Sequence, residues 1–291
     1  MLLSEVVERY IEARPGMKSG SADQLIYSVR AFDNFAGAIH VEQINNDLLV
    51  SFMRSRMRRC SPATVSRNVK DICTILKFAA KRLRLNVSVP DVEPVAIPRP
   101  IPTAWTMAEM EQIIAVCGRL PGTMRNLAVR QSEWWMALVL FLYDTGARIQ
   151  AALALDPRDF HPQNCVAVLR GEHAKTGLEQ VVDIGPDTTA AIKRVLESRD
   201  WLEPVVFRYP WATRKLWLDF HSILTAAGLS SGKYVGFHRI RKTHATQQVI
   251  AVGWEQARVA LGHSSESITR CYVDVRQLPR QPLLIPRPSI R

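Results

Sequence analysis

Residues 261–272 read LGHSSESITRCY, a stretch that places His263 nine residues before Tyr272. Gly262 permits a tight turn ahead of the histidine, because glycine adopts backbone conformations that other residues avoid. The following residues, SESITRCYV, have the pattern of a short helix. The stretch therefore predicts a turn and then a helix, with an imidazole at one end and a phenol at the other.

Three earlier segments contain side chains suited to the same chemistry. TGARIQAALAL contains Arg148, HAKTG contains Lys175 at a predicted hairpin turn, and HRIR runs from His238 to Arg241. His238 and Arg241 are three residues apart, so they share one face of a helix. All of these segments lie in the second half of the chain.

Cleavage of a phosphodiester without a metal ion requires three kinds of group, and these segments supply each of them. Guanidinium groups neutralise charge on the nonbridging oxygens and donate two hydrogen bonds at once. A lysine can protonate the leaving 5′ oxygen, and a tyrosine can attack phosphorus if its proton is accepted. Each residue alone is more often a surface or packing residue, so the prediction depends on their combination and order.

The runs TGARI, KTG, HRIRKTHAT and LGHSSESITRCY, in this order, resemble the catalytic signature of the tyrosine recombinases, the phage-integrase family. The resemblance covers about residues 105–275. It implies that Arg148 and Arg241 clamp the scissile phosphate, that His263 supports it, and that Lys175 is the general acid.

The resemblance also implies that Tyr272 is the nucleophile and forms a 3′-phosphotyrosyl link, with His238 assisting proton transfer. The energy of the broken bond is retained in that link. No ATP, metal ion or other cofactor is therefore expected.

Three positions depart from the family pattern. Ala151 stands where the family commonly has an acidic residue, Lys242 where a histidine is common, and His244 where an aromatic residue is usual. All three are supporting positions, so they affect the tuning of the site more than its presence.

Composition limits the class of protein. The chain has 291 residues and a formal net charge of +11 at pH 7, which indicates a polyanionic partner, with nucleic acid favoured over a membrane surface. Its five cysteines are scattered and form no CxxC pair, which argues against a disulfide framework or a zinc site. We expect a cytoplasmic, nucleoid-associated protein without a membrane partner.

Proline divides the chain. Five prolines occur in residues 89–104, which predicts a semi-rigid linker between two domains. We expect a helical core-binding domain over 1–88, a catalytic domain over 105–275, and a tail over 276–291. Residues 1–104 carry 15 basic and 10 acidic side chains and the remainder 23 and 17, so both halves are basic.

The first half shows only helical patterns. Ser61 followed by Pro62 is a strong helix start, and Asn46 or Asp47 can cap the preceding helix. Basic residues cluster on these two helices, and we expect DNA contacts from six of them: Arg54, Arg56, Arg58, Arg59, Lys77 and Lys81. A solvated helix face is the alternative interpretation of the same cluster.

The second half mixes helical and strand patterns. Thr106 and Glu109 form a capping box, and Gly146 can end a long apolar helix in a left-handed conformation. CVAVLRGEHAKTGLEQVVDI has two β-branched runs around a turn, the signal of an antiparallel hairpin. The predicted fold class is mainly α, with a small antiparallel sheet in the catalytic domain.

The prediction is a site-specific DNA recombinase that acts on double-stranded DNA as a homotetramer on paired sites, with accessory DNA-bending proteins as possible partners. Two alternatives remain at this point. A type IB topoisomerase shares the chemistry, and a DNA-binding protein of the same fold without catalysis is consistent with the missing acid at Ala151.

Overall fold

The structure of the protein, a computed structural model, describes residues 1–125, 127–173, 177–198, 203–232 and 235–280. The chain divides into two compact units, Met1–Pro100 and Ile101–Arg291. Helices predominate in both, and the described strands form one antiparallel sheet in the second unit. The predicted mainly α fold class is confirmed.

The first unit contains helices α1 (Leu3–Glu12), α2 (Ser19–Ala36), α3 (Asn46–Met57) and α4 (Pro62–Arg82). The predicted start of α4 is confirmed, because the Ser61 side chain accepts a hydrogen bond from the backbone N–H of Thr64. The predicted cap of α3 is wrong by one residue: Asn45 is the cap, and its side chain accepts from the N–H of Leu48. Phe32 and Phe52 meet edge to face in the core, with ring centroids 5.0 Å apart.

The residues between α4 and the next helix contain no described helix or strand. Val89 and Val92 pack on the core of the first unit. Ala104 and Trp105 are buried in the second unit. The two ends of the proline-rich segment are therefore each packed on the unit next to them.

The second unit is built around helix α6. Its elements in chain order are α5 (Met107–Cys117), α6 (Gln131–Thr145), α7 (Ile149–Leu153), β1 (Phe160–His161), β2 (Val166–Leu169), β3 (Gln180–Asp183), α8 (Pro186–Ser198), α9 (Thr213–Ala226), α10 (Phe237–Ala260) and α11 (Glu266–Arg270). β2 lies between β1 and β3, with Val168 opposite Val181. The predicted hairpin and the Thr106–Glu109 capping box are both confirmed.

Aromatic packing fixes the start of α10. Trp135 is buried in α6 and stacks on Phe237, the first residue of α10, with ring centroids 6.3 Å apart and planes at 5°. Phe220 from α9 stacks on the same Phe237 ring, with ring centroids 4.2 Å apart. Such contacts add to the area that each ring buries. The helix that carries His238 and Arg241 therefore begins at a fixed point of the core.

Helix α10 bends at Gly253, whose φ of 84° and ψ of 175° are not helical. The sequence pattern predicts a helix that ends near this glycine, whereas the helix resumes and continues to Ala260. Among the helices of the described ranges, none has the length and apolar character needed to cross a membrane.

Candidate active site

A cleft of about 430 Å³ in the second unit brings together residues from distant parts of the sequence. The end of α6, helix α10, the turn after it and the segment after α11 all contribute. Four of the six predicted catalytic residues line the cleft: Arg148, Arg241, His263 and Tyr272.

Arg148 is positioned by the turn that ends α6. Gly146 adopts a left-handed conformation with φ of 58°, as predicted for a helix-ending glycine. A Cβ at this position would lie 2.5 Å from Cδ2 of His244, so a side chain has no room there. Arg148 follows as the cap of α7, and within the described part of the chain its guanidinium has no hydrogen-bond acceptor.

Arg241 is buried and held by three acceptors. Its Nη1 donates to the carbonyl oxygen of Gly146, and its Nη2 donates to Nε2 of His263 at 2.9 Å and to the carbonyl of Leu261 at 3.5 Å. Burial, and then the charge of Arg148, lower the pKa of Arg241. Arginine nevertheless remains charged at neutral pH, so the cleft contains two cations.

His263 has both ring nitrogens engaged. Arginine can only donate, so Nε2 of His263 accepts from Arg241, and the proton of the ring lies on Nδ1. Nδ1 is 3.0 Å from Oγ1 of Thr269, to which it donates. Burial, followed by the charges of Arg241 and Arg148, lowers the pKa of His263 to about 4. The ring is therefore neutral at pH 7 and orients the Arg241 guanidinium.

Tyr272 lies two residues after the end of α11 and is half-buried between two histidines. Its ring stacks on that of His263, with centroids 5.0 Å apart and planes at 28°, and is tilted against the ring of His238 at 5.1 Å. Cζ of Arg241 is 5.1 Å from the centre of the same ring. The phenol thus lies beside one buried cation and two imidazoles.

His238 lies at the start of α10 with its side chain exposed. Burial of part of the ring, and then the charges of Lys242, Arg241 and Arg148, lower its pKa. A ring that stays neutral beside Tyr272 retains a lone pair that can accept a proton.

Lys175 lies outside the described residues. His173 and Leu178, on either side of it in sequence, both line the cleft. His173 is a residue that sequence reasoning missed, since no spacing connects it with the other segments. The only signal was its nearness to Lys175 in the sequence.

The described lining of the cleft contains no aspartate or glutamate. Ala151, which occupies the position where the family pattern has an acid, is among the lining residues. The charges of Arg148 and Arg241 are therefore not neutralised by a carboxylate of the lining, and an anion would be attracted to the cleft. Among the described residues, no group of three histidines, cysteines, aspartates or glutamates could hold a metal ion.

Comparison with known sequences assigns the fold to a family. The family model of the phage integrase family matches residues 105–278, more than half of the chain. The chain belongs to the phage integrase family. The members of this family are tyrosine recombinases, and the resemblance drawn from the four sequence motifs is confirmed. A search of curated proteins gave no match.

Solved structures of other integrases and recombinases have the same fold. A lambda integrase dimer bound to a COC′ core site is 16% identical, with a TM-score of 0.72, over 98% of this chain and 100% of that one. XerH site-specific recombinase bound to a difH substrate is 16% identical, with a TM-score of 0.74, over 93% and 80%. Tn1549 transposon integrase with a circular intermediate DNA is 15% identical, with a TM-score of 0.70, over 94% and 95%.

The six basic residues predicted to contact DNA from the first unit differ in their surroundings. Five of them are exposed: Arg54, Arg58, Arg59, Lys77 and Lys81. Arg56 is half-buried, and its Nη2 donates to Oη of Tyr27 at 3.1 Å and to Oδ1 of Asn68 at 3.2 Å. Arg56 therefore connects three helices of the first unit.

Proposed function

We propose that this protein is a site-specific recombinase that cuts and rejoins DNA strands through a 3′-phosphotyrosyl intermediate. The observation that carries the proposal is the pairing of Arg148 and Arg241 beside Tyr272 in a cleft whose described lining has no acidic residue. A phosphodiester carries the negative charge that these guanidinium groups would bind.

The cleavage step would exchange one phosphate ester for another. Oη of Tyr272 attacks the scissile phosphorus, a bond forms between them, and the bond from phosphorus to the 5′ oxygen breaks. Arg148 and Arg241 would neutralise the nonbridging oxygens as charge develops there. Religation is the reverse, with the 5′ hydroxyl of another strand as the attacking group.

Two groups would move the protons of this step. His238, whose ring lies 5.1 Å from that of Tyr272, would accept the phenolic proton. Lys175 would donate a proton to the departing 5′ oxygen, a role that rests on its match to the family motif. His263 would act by holding Arg241 in place.

The charges on the two arginines would replace those that a metal ion supplies in other phosphoryl-transfer enzymes. We therefore expect cleavage to proceed at the same rate in excess EDTA. A loss of cleavage that added magnesium restores would contradict this mechanism.

The decisive experiment selects covalent adducts from a pool of nicked duplexes of randomised sequence. A nick close to the cleaved bond lets the short 5′-hydroxyl fragment dissociate, so the adduct accumulates, and the captured DNA is sequenced to obtain the preferred site. Tyr272→Phe should bind this site but form no adduct. Tyr143→Phe is the matched control: Tyr143 is in the same unit, and among the described residues its hydroxyl donates only to the sulfur of Met107.

The outcomes of this experiment separate the candidate functions. If the wild-type protein forms no covalent adduct on any sequence, the protein is a DNA-binding protein without catalysis. An adduct that persists in Tyr272→Phe would identify another nucleophile. Relaxation of supercoiled DNA without recombinant products would favour a topoisomerase.

We further propose that the active assembly is a tetramer on two paired duplexes, with the basic residues of the first unit on DNA. Support comes from the fold shared with a lambda integrase tetramer bound to a Holliday junction, at a TM-score of 0.75. Residues 281–291 of the predicted tail lie outside the described residues. Mass measurement of the protein on a synthetic four-way junction would test the stoichiometry.

A further inference from the structure

Asp274, two residues after the proposed nucleophile, is a buried carboxylate with partners from three parts of the chain. It is 2% exposed. Its Oδ2 accepts from the backbone N–H of Ala104 at 3.1 Å, and its Oδ1 accepts from Nε of Arg276 at 2.7 Å. Its own backbone N–H donates to Oγ1 of Thr246 in α10 at 2.9 Å.

The other side of this contact is the segment through which the proline-rich residues 89–104 join the second unit. The carbonyl of Ala104 accepts from Gln277 and from Arg239, each at 3.3 Å. Arg276 reaches the carbonyl of Pro102 at 3.3 Å. Residues 274–277 are thus bonded to residues 102–104, about 170 positions earlier in the sequence.

A buried carboxylate is stable only while its charge is compensated. The hydrogen bond from Arg276 is the main cause that holds the pKa of Asp274 below its usual range, with further donors in Ala104 and in the backbone of Arg276. Arg276 is itself held by the carbonyl of Pro102 and the hydroxyl of Thr103, each at 3.3 Å, so residues 102–104 support the ionised form both through the Ala104 N–H and through Arg276. Displacement of that segment would remove the N–H of Ala104 from Oδ2, which would then retain only Nη2 of Arg276, at 2.8 Å, as a donor among the described residues.

A single residue separates Asp274 from Tyr272, so the hydrogen bonds that fix Asp274 also restrict the main chain at the tyrosine. Val273, between them, is fully buried against α10 residues such as Val249 and Ala257. The backbone N–H of Tyr272 donates to the carbonyl of Thr269 at 2.9 Å. The main chain is therefore fixed immediately before and after the tyrosine.

We propose that Asp274 is a positioning residue that holds Tyr272 in its reactive place only while residues 102–104 are seated against it. This inference rests on the proposed function, because it concerns the nucleophile of that reaction. The junction between the proline-rich segment and the second unit is then part of the structure that supports the active site.

Asp274→Asn tests the proposal with little change in shape, since it replaces one of two acceptor oxygens by a donor. On the nicked site selected with the wild-type protein, at saturating DNA, the single-turnover rate of adduct formation should fall about 10–100-fold. The Kd for the same DNA should change by no more than about twofold. A 5′-bridging phosphorothiolate substrate should not restore the rate, because the defect lies in the nucleophile.

Ala104→Pro removes the N–H donor from the other side of the contact and should give the same separation of binding from cleavage. In the double variant, the loss should be no greater than that of the more impaired single variant, because both changes break one contact. Thr246→Val, which removes the acceptor for the Asp274 N–H, provides a third variant if either of these melts below the assay temperature.

Asp156→Asn is the matched control. Asp156 also pairs with an arginine two residues later, Arg158, and its carboxylate also accepts a backbone N–H, but it is not among the described residues that line the cleft. The Asp156→Asn variant should form the covalent adduct at the same rate as the wild type. The proposal is overturned if Asp274→Asn cleaves within about twofold of the wild type, if its Kd rises in parallel with the loss of rate, or if the losses from Asp274→Asn and Ala104→Pro multiply. Failure of the wild-type protein to form any adduct would instead reject the proposed function.

Discussion

Nη2 of Arg241 donates to Nε2 of His263 across 2.9 Å, and this single bond determines which nitrogen of the histidine carries the proton. The proton is on Nδ1, where Thr269 accepts it. A buried arginine, a neutral histidine and a threonine thus form one chain of hydrogen bonds beneath Tyr272. The orientation of Arg241 depends on all of its members.

Thr269→Val should lower the rate of adduct formation about tenfold at saturating DNA. Thr269 is fully buried, so its loss leaves the Nδ1–H of His263 without an acceptor, at a cost of about 1–3 kcal/mol. The ring could then move its proton to Nε2, which would point a donor at Arg241. Thr269→Ser should restore the rate. The control is Thr225→Val on the exposed side of α9. An unchanged rate of adduct formation in Thr269→Val would contradict the role of this chain of hydrogen bonds.

Local sequence signals predicted much of the fold. The helix boundaries at Ser61, Thr106 and Gly146 follow from side-chain caps and backbone conformations that depend on a few neighbouring residues. The bend at Gly253 was not predictable, because a glycine ends a helix or bends it according to what the following residues pack against. Here Ala257 and Leu261 are buried after the bend.

The candidate site likewise contains some residues that the sequence predicted and others that it did not. The motif residues were recognisable because their chemistry and order are shared by a family. Thr269, the Gly146 carbonyl and Asp274 gave no signal, since their partners lie far away: Gly146 is 95 residues from Arg241, and Asp274 is 170 from Ala104. Only folding brings such pairs together, and a backbone carbonyl has no signature in sequence.

The stability of the second unit should fall between pH 7 and pH 5, partly because of His244. Burial lowers the pKa of this histidine from 6.5 to about 4, while its Nδ1 donates to the carbonyl of Tyr143. Below pH 6.5 the unfolded chain takes up a proton that the folded protein does not bind, so the free energy of unfolding decreases until the pH approaches 4. The contribution of His244 between pH 7 and pH 5 is about 2 kcal/mol.

Urea unfolding followed by tryptophan fluorescence measures this directly, because all seven tryptophans lie at or beyond Trp105 and so report on the second unit. The loss of stability from pH 7 to pH 5 should be smaller by about 2 kcal/mol in His244→Gln than in the wild type. His161→Gln, at an exposed position, should lose as much as the wild type. Equal losses in all three proteins would show that His244 is protonated in the folded state.

Two arginines of α3 should respond differently to removal. Arg54 is exposed, so Arg54→Ala should make the slope of log Kd against log salt shallower by about 1, as expected for one lost phosphate contact. Arg56→Ala should instead lower the free energy of unfolding by about 1–3 kcal/mol, because Asn68 is fully buried and loses a donor. Thermal unfolding by circular dichroism and DNA binding at several salt concentrations separate the two effects. An unchanged salt slope for Arg54→Ala would remove that residue from the DNA-binding surface.

Lys175→Ala should slow cleavage by about 10²–10⁴-fold, the usual contribution of a general acid. The 5′ oxygen leaves as an alkoxide unless it is protonated, and an alkoxide is a poor leaving group. The described cleft contains two arginines that neutralise the nonbridging oxygens, but a guanidinium holds its protons too tightly to release one at neutral pH. Single-turnover adduct formation on the selected nicked site measures the loss.

A substrate with sulfur at the 5′-bridging position separates a catalytic lysine from a surface one. The thiolate leaves without a proton, so Lys175→Ala should cleave this substrate at close to the wild-type rate. Arg241→Ala should remain impaired, because its charge serves the nonbridging oxygens, which the sulfur does not change. If Lys175→Ala is equally slow on both substrates, the lysine does not protonate the leaving group, and another donor must be sought among the groups near the cleft, of which His173 is the first to test.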